Sequence, residues 1–422
     1  MSLRRLLSNP VKSVRPFLLS PLSLARQISS ANIEKLEHGR GIQVEWHDGE
    51  VSRFHSSWLR MNCNCDKCQQ RHSGQRTINV SQLPNTIKLQ DISLSDDNLT
   101  VTWDHNQHHK SLFKLDWLKT HSYMKKDIQN QSNQRKFHTF KEAIPDSLNY
   151  DDVINSNGGL LKFLQLINEN GLALVKGVPC DDDSLCKVVN RIGPLQKTIY
   201  GEFFDVISTP NPINIAYSSV NLDYHMDLAY YQSPPGIQML HCRRFDKEVK
   251  GGESVFLDVF AIAEKFRKTN PKEFDTLVRV PATFQKIHFE RENPVYLKYQ
   301  RPHICLNHHK EIVSITWSPA FEGPLFVDEE DVEPYYEAYF AFDKAVNQSE
   351  LKVKFRLEEG DLIAFNNIRI LHGREEFELN GGGRSLRGCY VNIDEFRNKV
   401  DVMSQLHGDK RLSKRVGNNC FF

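Results

Sequence analysis

The chain has 422 residues, of which 39% are hydrophobic and 25% are charged, and its formal net charge at pH 7 is +1. This composition is typical of a globular protein, and the length allows more than one domain. The near-zero net charge excludes a general attraction to nucleic acid or to anionic membranes. No apolar run approaches the length that spans a bilayer. We therefore expect a small-molecule partner, with neither nucleic acid nor membrane.

The first 33 residues differ in charge from the rest of the chain. They contain five basic residues, many serines and leucines and no acidic residue, and the first acid is Glu34. Such a segment is typical of a mitochondrial transit peptide, here ending near the sequence ARQISS. We predict a transit peptide at residues 1–33 and a mitochondrial protein. A disordered basic tail on a cytoplasmic protein is the alternative.

Three of the nine cysteines lie close together. Cys63, Cys65 and Cys68 form a C-x-C-x-x-C pattern, in which a tight loop can turn three thiolates toward one point. Thiolates at this density favour zinc, which takes four tetrahedral ligands when its role is structural. The alternatives are a redox pair and three unrelated thiols. The pattern leaves the fourth ligand open, and the candidates are His72, His105, His108 and His109.

Short strands separated by turns are predicted between residues 40 and 120. Their sequences are GIQVEW, VSRFH, TINVSQL, LTVTWD and SLFKLDWL. We predict a small β-rich zinc-binding domain at residues 38–121. Residues 122–148 are mostly polar and rich in lysine, with little periodicity, and are predicted to be a linker.

A second, larger domain is predicted at residues 149–400, followed by a C-terminal tail at 401–422. It begins with an amphipathic helix that Gly171 ends, a strand with the sequence LALVKGVP, and a helix across DDSLCKVVNRIG. Beyond residue 195 short strands dominate, with helices inserted at 259–270 and 331–348. Many short strands with Gly and Pro turns predict a mainly β fold with helical insertions, namely a sandwich or a double-stranded β-helix (jelly roll).

A candidate metal site lies in this larger domain. His225 and Asp227 are two residues apart, and on an extended strand residues i and i+2 face the same side. His372, which follows apolar strands, can supply a third ligand. Two histidines and one carboxylate bind ferrous iron on one face and leave other positions open. A lone His-x-Asp pair is more often an accident, so the prediction depends on all three residues.

Two arginines, Arg384 and Arg387, follow His372 by about a dozen residues in the sequence GGGRSLRGCY. A guanidinium can bind a carboxylate through two parallel hydrogen bonds, which a lysine cannot match. An arginine here is therefore a candidate for holding a dicarboxylic co-substrate.

These motifs resemble a known family. H-x-D, GGES, H-G-R and a downstream arginine are similar to the motifs of the 2-oxoglutarate and Fe(II)-dependent oxygenases of the taurine-dioxygenase type. More narrowly, WLRMNCNCDKC, YHMDLAYYQSPPGIQMLHC and ILHGREEF resemble the family of γ-butyrobetaine dioxygenase and trimethyllysine dioxygenase. The resemblance covers nearly all of residues 40–400. It implies Fe(II), 2-oxoglutarate and O2, ascorbate as reductant, a structural zinc, and a homodimer.

Carried over position by position, the resemblance also implies site residues. The zinc ligands would be Cys63, Cys65, Cys68 and His109, and the iron ligands His225, Asp227 and His372. The 2-oxoglutarate pocket would include Arg384, Ser254 and Leu240. The substrate would contact Tyr200, Phe204, Asn214, Tyr217 and Tyr390.

The aromatic residues of this set would cage a quaternary ammonium group, because ring faces attract cations. Taken singly, each aromatic is more often a core residue. The sequence departs from the family pattern at three places. Phe204 stands where relatives often have tryptophan, Leu228 where a tyrosine is expected, and Ser318 with Pro319 where an asparagine is usual.

The resemblance implies hydroxylation of γ-butyrobetaine to L-carnitine, with release of succinate and CO2. The sequences SPPGIQMLHC and VKGGESVFLD favour this substrate. The transit-like N-terminus favours the alternative, 3-hydroxylation of N6,N6,N6-trimethyllysine. A non-catalytic protein that binds quaternary ammonium metabolites is the alternative from a different class.

Overall fold

The computed structural model describes residues 31–106, 108–134, 147–208, 215–410 and 413. Residues 1–30 of the predicted transit peptide lie outside this range, as do Asn214 and half of the predicted tail. The chain divides into two compact units near residue 133. None of the described helices combines the length and the apolar character that a transmembrane helix needs.

The first unit contains two three-stranded antiparallel sheets of similar plan, each followed by a short helix. The first consists of Asn32–Lys35, Gly41–Glu45 and Val51–His55, followed by helix Ser56–Met61. The second consists of Leu89–Ser95, Asn98–Trp103 and Lys110–Lys114, followed by helix Leu115–Thr120. Alternate residues such as Leu99, Val101 and Trp103 are fully buried, which is the pattern of strands with one face on a core.

Two sequence-based strand predictions for this unit need correction. The strand predicted at residues 77–83 is wrong, because this segment is mostly exposed and holds only the 3-10 turn Val80–Gln82. The predicted strand SLFKLDWL stops at Lys114 and continues as a helix. The predicted linker contains helix Lys125–Gln134, whose mostly polar sequence hides the helical period. The remaining short element is the 3-10 turn Glu37–Gly39.

The second unit is built on two sheets. The major sheet has six strands, in the order Ser147–Asn149, Leu172–Lys176, Leu362–Asn366, Ile237–Phe245, Arg384–Val391 and Phe203–Ile207. The minor sheet has four strands, in the order Leu222–His225, Ile370–Arg374, Ser254–Asp258 and Lys352–Phe355. All neighbours are antiparallel except the first two of the major sheet.

The two sheets pack face to face. Leu240 and Phe365 of the major sheet share one buried cluster with Phe256 and Ile370 of the minor sheet. The next residues along the strands point the other way, so Met239 packs against the helices on the outer face. The predicted double-stranded β-helix is therefore confirmed.

Helices cover both outer faces. Those packed on the major sheet are Asn157–Asn170, Ser184–Ile192 and Ile393–His407, near the short helix Tyr150–Asn155. Those beside the minor sheet are Val259–Thr269, Pro271–Arg279 and Glu329–Asn347. Gly171 ends its helix at a φ of +88°, as predicted. The predicted domain boundary at residue 400 falls inside a helix.

Short elements complete the second unit. They are the hairpins Pro281–His288 with Val295–Pro302 and Ile304–Leu306 with Ile312–Ile315, the pair Lys250–Gly251 with Phe377–Glu378, and the 3-10 turns Ile215–Tyr217 and Pro319–Phe321.

Candidate active site

Three predicted metal ligands converge inside the sandwich. His225 ends its strand and lies in register opposite His372 on the neighbouring strand. His225 Nε2 is 3.5 Å from one carboxylate oxygen of Asp227, and His372 Nε2 is 3.9 Å from the other. One ligand atom from each residue lies within 4.8 Å of the others. A single ion can therefore contact all three side chains.

Asp227 reaches this position differently from the sequence-based expectation. We predicted His225 and Asp227 on one strand, but the strand ends at His225. Asn367 holds the backbone of Asp227 instead, since its Oδ1 accepts from the Asp227 N–H at 2.8 Å and its Nδ2 donates to the Asp227 carbonyl at 3.0 Å. Leu228 then turns the chain with a φ of +60°.

Hydrogen bonds also orient the ligand side chains. The Nδ1–H of His225 donates to the Asp223 carbonyl at 2.8 Å, which leaves Nε2 free to bind a metal. The Tyr390 hydroxyl donates to Asp227 Oδ2 at 2.7 Å. Such contacts fix the tautomer of a histidine and the rotation of a carboxylate, and hence the geometry that a metal meets.

The electrostatics of the cluster favour a cation. Burial alone would raise the pKa of Asp227, but His225, His372 and Tyr390 outweigh it and hold that pKa well below its usual range. Burial, with the charge of His225, lowers the pKa of His372 to about 3. The carboxylate is thus charged and His372 is neutral, the forms in which both bind metals. The donor set of two imidazoles and one carboxylate fits ferrous iron.

A pocket of about 630 Å³, a volume that includes its opening to solvent, lies beside this cluster. Interior-facing residues of both sheets line it, as strand alternation requires. Every predicted iron, 2-oxoglutarate or substrate residue that the structure describes is among them: His225, Asp227, His372, Arg384, Ser254, Leu240, Tyr200, Phe204, Tyr217 and Tyr390. Their individual roles stay predictions, and Asn214 lies outside the described residues.

Arg384 is a buried cation in the pocket wall. It is 5% exposed, its guanidinium lies over the rings of Phe245 and Phe377, and its Nε has no hydrogen-bond partner among the described residues. Burial, with the nearby charge of Arg374, lowers its pKa to about 10, so it stays charged at neutral pH. No described carboxylate lies within ion-pair distance of it, and a buried charge is costly unless it is paired. An anionic ligand would supply the missing partner.

The aromatic side chains line another part of the pocket wall. The rings of Phe204 and Tyr390 stack with centroids 5.0 Å apart, and Tyr200 lies 6.3 Å from Phe204. Gly388 makes this stack possible, because a Cβ there would lie 2.2 Å from the Phe204 ring. Tyr390 connects the aromatic side chains with the candidate metal ligands, since its ring stacks on Phe204 and its hydroxyl donates to Asp227.

The first unit holds a second cluster. His109 Nε2 lies 3.4, 3.9 and 3.6 Å from the sulfurs of Cys63, Cys65 and Cys68. Tetrahedral zinc with bonds of about 2.3 Å to sulfur and 2.0 Å to nitrogen places these atoms about 3.5 Å apart. Burial lowers the pKa of His109, which keeps it neutral. The cluster fits a structural zinc site, and it selects His109 from the four candidate histidines.

Comparisons with known proteins identify the family of the chain. The family model described as "Taurine catabolism dioxygenase TauD, TfdA family" matches residues 127–390, more than half of the chain. The chain belongs to this family. A second model, "Gamma-butyrobetaine hydroxylase-like, N-terminal", matches residues 33–119. The resemblance that the motifs indicated is confirmed, and so is the prediction of an Fe(II)- and 2-oxoglutarate-dependent dioxygenase.

Individual relatives span nearly the whole chain. Gamma-butyrobetaine dioxygenase of Pseudomonas sp. (strain AK-1) is 31% identical over 94% of this chain and 100% of its own length. The Homo sapiens protein of the same name is 28% identical over 88% and 96%. Trimethyllysine dioxygenase, mitochondrial, of Rattus norvegicus is 28% identical over 93% and 92%.

The sequence analysis missed several residues that shape the site. Asn367 and Gln238 are fully buried, and Gln238 and Arg374 line the pocket. Arg374 had a signal, since it lies two residues after the predicted ligand His372 in the run HGR. Leu228 and Ser318, where the sequence departs from the family, are buried and are not among the described residues that line the pocket.

Proposed function

We propose that this protein hydroxylates γ-butyrobetaine to L-carnitine while it converts 2-oxoglutarate and O2 to succinate and CO2. One observation carries the proposal: an aromatic wall adjoins the His225, Asp227 and His372 cluster in one pocket, and the Tyr390 hydroxyl joins the two. The full-length similarity to two γ-butyrobetaine dioxygenases supports the same substrate.

Each part of the pocket has a role in this proposal. His225, Asp227 and His372 hold iron, which when bound supplies the oxidation of an unactivated C–H bond at the expense of 2-oxoglutarate and O2. Arg384 binds the far carboxylate of 2-oxoglutarate beside Ser254 and Leu240. Tyr200, Phe204, Tyr217 and Tyr390 bind the trimethylammonium group through their ring faces. Asn214, which lies outside the described residues, is assigned to the substrate carboxylate by the family resemblance. The wall thereby fixes which carbon faces the metal.

The charges of the pocket favour γ-butyrobetaine over trimethyllysine. Trimethyllysine carries an additional free ammonium group, which needs an acceptor when it is buried. Asp227 is the sole acid among the described residues that line the pocket. In this proposal Asp227 binds the metal, so it is not available to pair with a second ammonium group. γ-Butyrobetaine has no such group to satisfy.

Trimethyllysine is the second candidate. The similarity to the mitochondrial trimethyllysine dioxygenase of Rattus norvegicus supports it. So does the basic, acid-free segment at residues 1–33, and both observations support our further proposal that the protein is mitochondrial. The predicted homodimer stays a prediction.

The test is a side-by-side turnover measurement. Purified protein with Fe(II), 2-oxoglutarate, ascorbate and O2 receives γ-butyrobetaine or trimethyllysine at equal concentration, and mass spectrometry quantifies succinate and the hydroxylated amine. We expect carnitine in a one-to-one ratio with succinate, at a rate at least about tenfold above that with trimethyllysine. His225→Ala should abolish both products.

Two outcomes would replace the proposal. Faster turnover of trimethyllysine would transfer the assignment to the second candidate. Binding of γ-butyrobetaine that survives His225→Ala, with no succinate from the unaltered protein, would indicate a non-catalytic binding protein.

A further inference from the structure

Arg374 is a buried cation with an unusual set of partners. It ends strand Ile370–Arg374, where alternation places its side chain on the same interior face as His372. The side chain is 5% exposed and lines the pocket. No carboxylate in the described part of the chain lies within ion-pair distance of it, so its hydrogen-bond acceptors lie elsewhere.

Those acceptors are backbone carbonyls of one segment. Nη1 of Arg374 donates to the Ala216 carbonyl at 3.1 Å, and Nη2 donates to the carbonyls of Ser218 at 3.0 Å and Val220 at 2.6 Å. The backbone N–H of Phe377 donates to the carbonyl of Ser219 at 3.0 Å. Four carbonyls within residues 216–220 are therefore held by one short stretch of chain, residues 374–377.

The segment 216–220 carries a pocket residue. Its only regular structure is the end of the 3-10 turn Ile215–Tyr217, so it lacks the repeated hydrogen bonds of a sheet. Tyr217 lines the pocket and lies between two of the carbonyls that Arg374 binds. Fixing the carbonyls on both sides of Tyr217 fixes its Cα and the direction of its side chain. The position of Tyr217 is thereby fixed relative to strand Ile370–Arg374, which carries His372.

We propose that Arg374 is a positioning residue: it holds segment 216–220 so that Tyr217 stands at a fixed place relative to the metal-binding side chains. The effect on amine recognition rests on the proposed function, whereas the attachment of the segment does not. Lysine cannot replace arginine here. A guanidinium presents five N–H donors in a rigid fork, whereas an ammonium is a single point that cannot reach carbonyls spread over five residues.

Arg374→Lys tests the attachment without any metal or ligand. Hydrogen exchange followed by mass spectrometry should show faster exchange in the peptide that contains residues 216–220, by about tenfold or more. Arg243→Lys is the matched control. Arg243 also donates to a backbone carbonyl, that of Cys180 at 2.7 Å, but it does not line the pocket, so the 216–220 peptide should exchange as in the unaltered protein.

Ligand binding then separates positioning from direct contact. Calorimetry on the metal-loaded protein without O2 should show γ-butyrobetaine affinity lowered in Arg374→Lys about as much as in Tyr217→Ala, roughly tenfold. The 2-oxoglutarate affinity should stay within about twofold, because Arg384 is intact. During turnover, more 2-oxoglutarate should be consumed per amine hydroxylated.

Three results would overturn the inference or part of it. Unchanged exchange in segment 216–220 would refute the attachment. A larger loss of 2-oxoglutarate affinity than of amine affinity would make Arg374 a co-substrate ligand instead. Faster exchange with unchanged amine affinity would refute the role in recognition. If the unaltered protein binds no amine, the proposed function fails while the exchange result still decides the attachment. If Arg374→Lys does not fold, Arg374→Gln is tested in its place.

Discussion

The two side-chain clusters of this chain differ in the number of ligand atoms that they offer. Cys63, Cys65, Cys68 and His109 present four soft or borderline ligand atoms, which complete the tetrahedral shell of zinc. His225, Asp227 and His372 present three, which leaves positions for a co-substrate. A metal held by the first set would be closed off from solvent, and a metal held by the second would stay accessible from the pocket.

The clusters also differ in how the chain assembles them. The three cysteines lie within six residues, so a single loop brings the sulfurs together. The two histidines of the second cluster are 147 positions apart and meet because their strands pair in register. A loop that a metal closes gains stability from the metal, whereas ligands on a rigid sheet keep their places without it. We therefore expect metal loss to unfold the region around the cysteine cluster. At the His225, Asp227 and His372 cluster, we expect metal loss to abolish activity without unfolding the sheet.

The largest expected effect is that of His372→Ala. Loss of a ligand at the open site should lower amine-dependent turnover on the order of a thousandfold or more. The unfolding midpoint should change little, and the zinc content should stay at one per chain. His309→Ala, which alters an exposed histidine, is the control. Release of zinc by His372→Ala would contradict the expectation that the two clusters are independent.

Cys63→Ser, in contrast to His372→Ala, should mainly lower stability and metal content. Because structural zinc supplies folding free energy, we expect loss of zinc and destabilisation of residues 31–133 by several kcal/mol. Metal analysis and hydrogen exchange along the chain measure both. Cys180→Ser, at a partly buried cysteine outside the cluster, should leave the zinc in place. A variant that keeps its zinc and its stability would show that this cluster is not a structural site.

Arg384→Lys tests the anion-binding end of the open site. The variant keeps the charge but loses the bidentate hydrogen bonding of a guanidinium to a carboxylate. The KM for 2-oxoglutarate should therefore rise about 10- to 100-fold. The KM for the amine should change far less. Arg387→Lys is the control, because Arg387 lies on the same strand but binds Asp182 instead of lining the pocket. Equal effects of the two variants would contradict the assignment.

Tyr390→Phe separates the two functions of one side chain. The variant loses the hydroxyl that binds Asp227 and keeps the ring that stacks on Phe204. We expect kcat to fall about tenfold, as for other groups that orient a metal ligand, while the KM for the amine stays within about twofold. Steady-state kinetics measures both. A change in KM alone would mean that the hydroxyl serves amine binding and not the carboxylate.

The smallest effect is expected at Phe204. Phe204→Leu keeps an apolar side chain but removes the ring face, so γ-butyrobetaine should bind about two- to fivefold more weakly. The affinity for 2-oxoglutarate is the internal control and should not change. Unaltered amine affinity would restrict Phe204 to packing.

The two candidate metal clusters could be predicted from sequence because their chemistry lies in the residue types. Thiolates spaced as at Cys63, Cys65 and Cys68 have few other uses. The His-x-Asp spacing marked His225, and the apolar strands before His372 marked the third residue. The prediction for Asp227 placed it on the strand of His225. The strand ends earlier, because Asn367, 140 positions away, binds the Asp227 backbone, and a local pattern carries no sign of such a contact.

The missed elements have a similar explanation. The helices Lys125–Gln134 and Ile393–His407 fall where polarity or the end of the family resemblance suggested a linker and a tail. The strand order of the major sheet depends on pairings far apart in the chain. Arg374 acts through backbone carbonyls, which every residue has, so no side-chain motif identifies its partners.

Anomalous diffraction at the iron and zinc absorption edges tests the two-site account most directly. Crystals grown without O2 in the presence of Fe(II) and 2-oxoglutarate should show iron between His225, Asp227 and His372. A zinc peak should lie between Cys63, Cys65, Cys68 and His109. The iron should carry three ligands from the protein, with 2-oxoglutarate reaching from it to Arg384. Iron bound elsewhere, or a fourth protein ligand that closes its shell, would contradict the account.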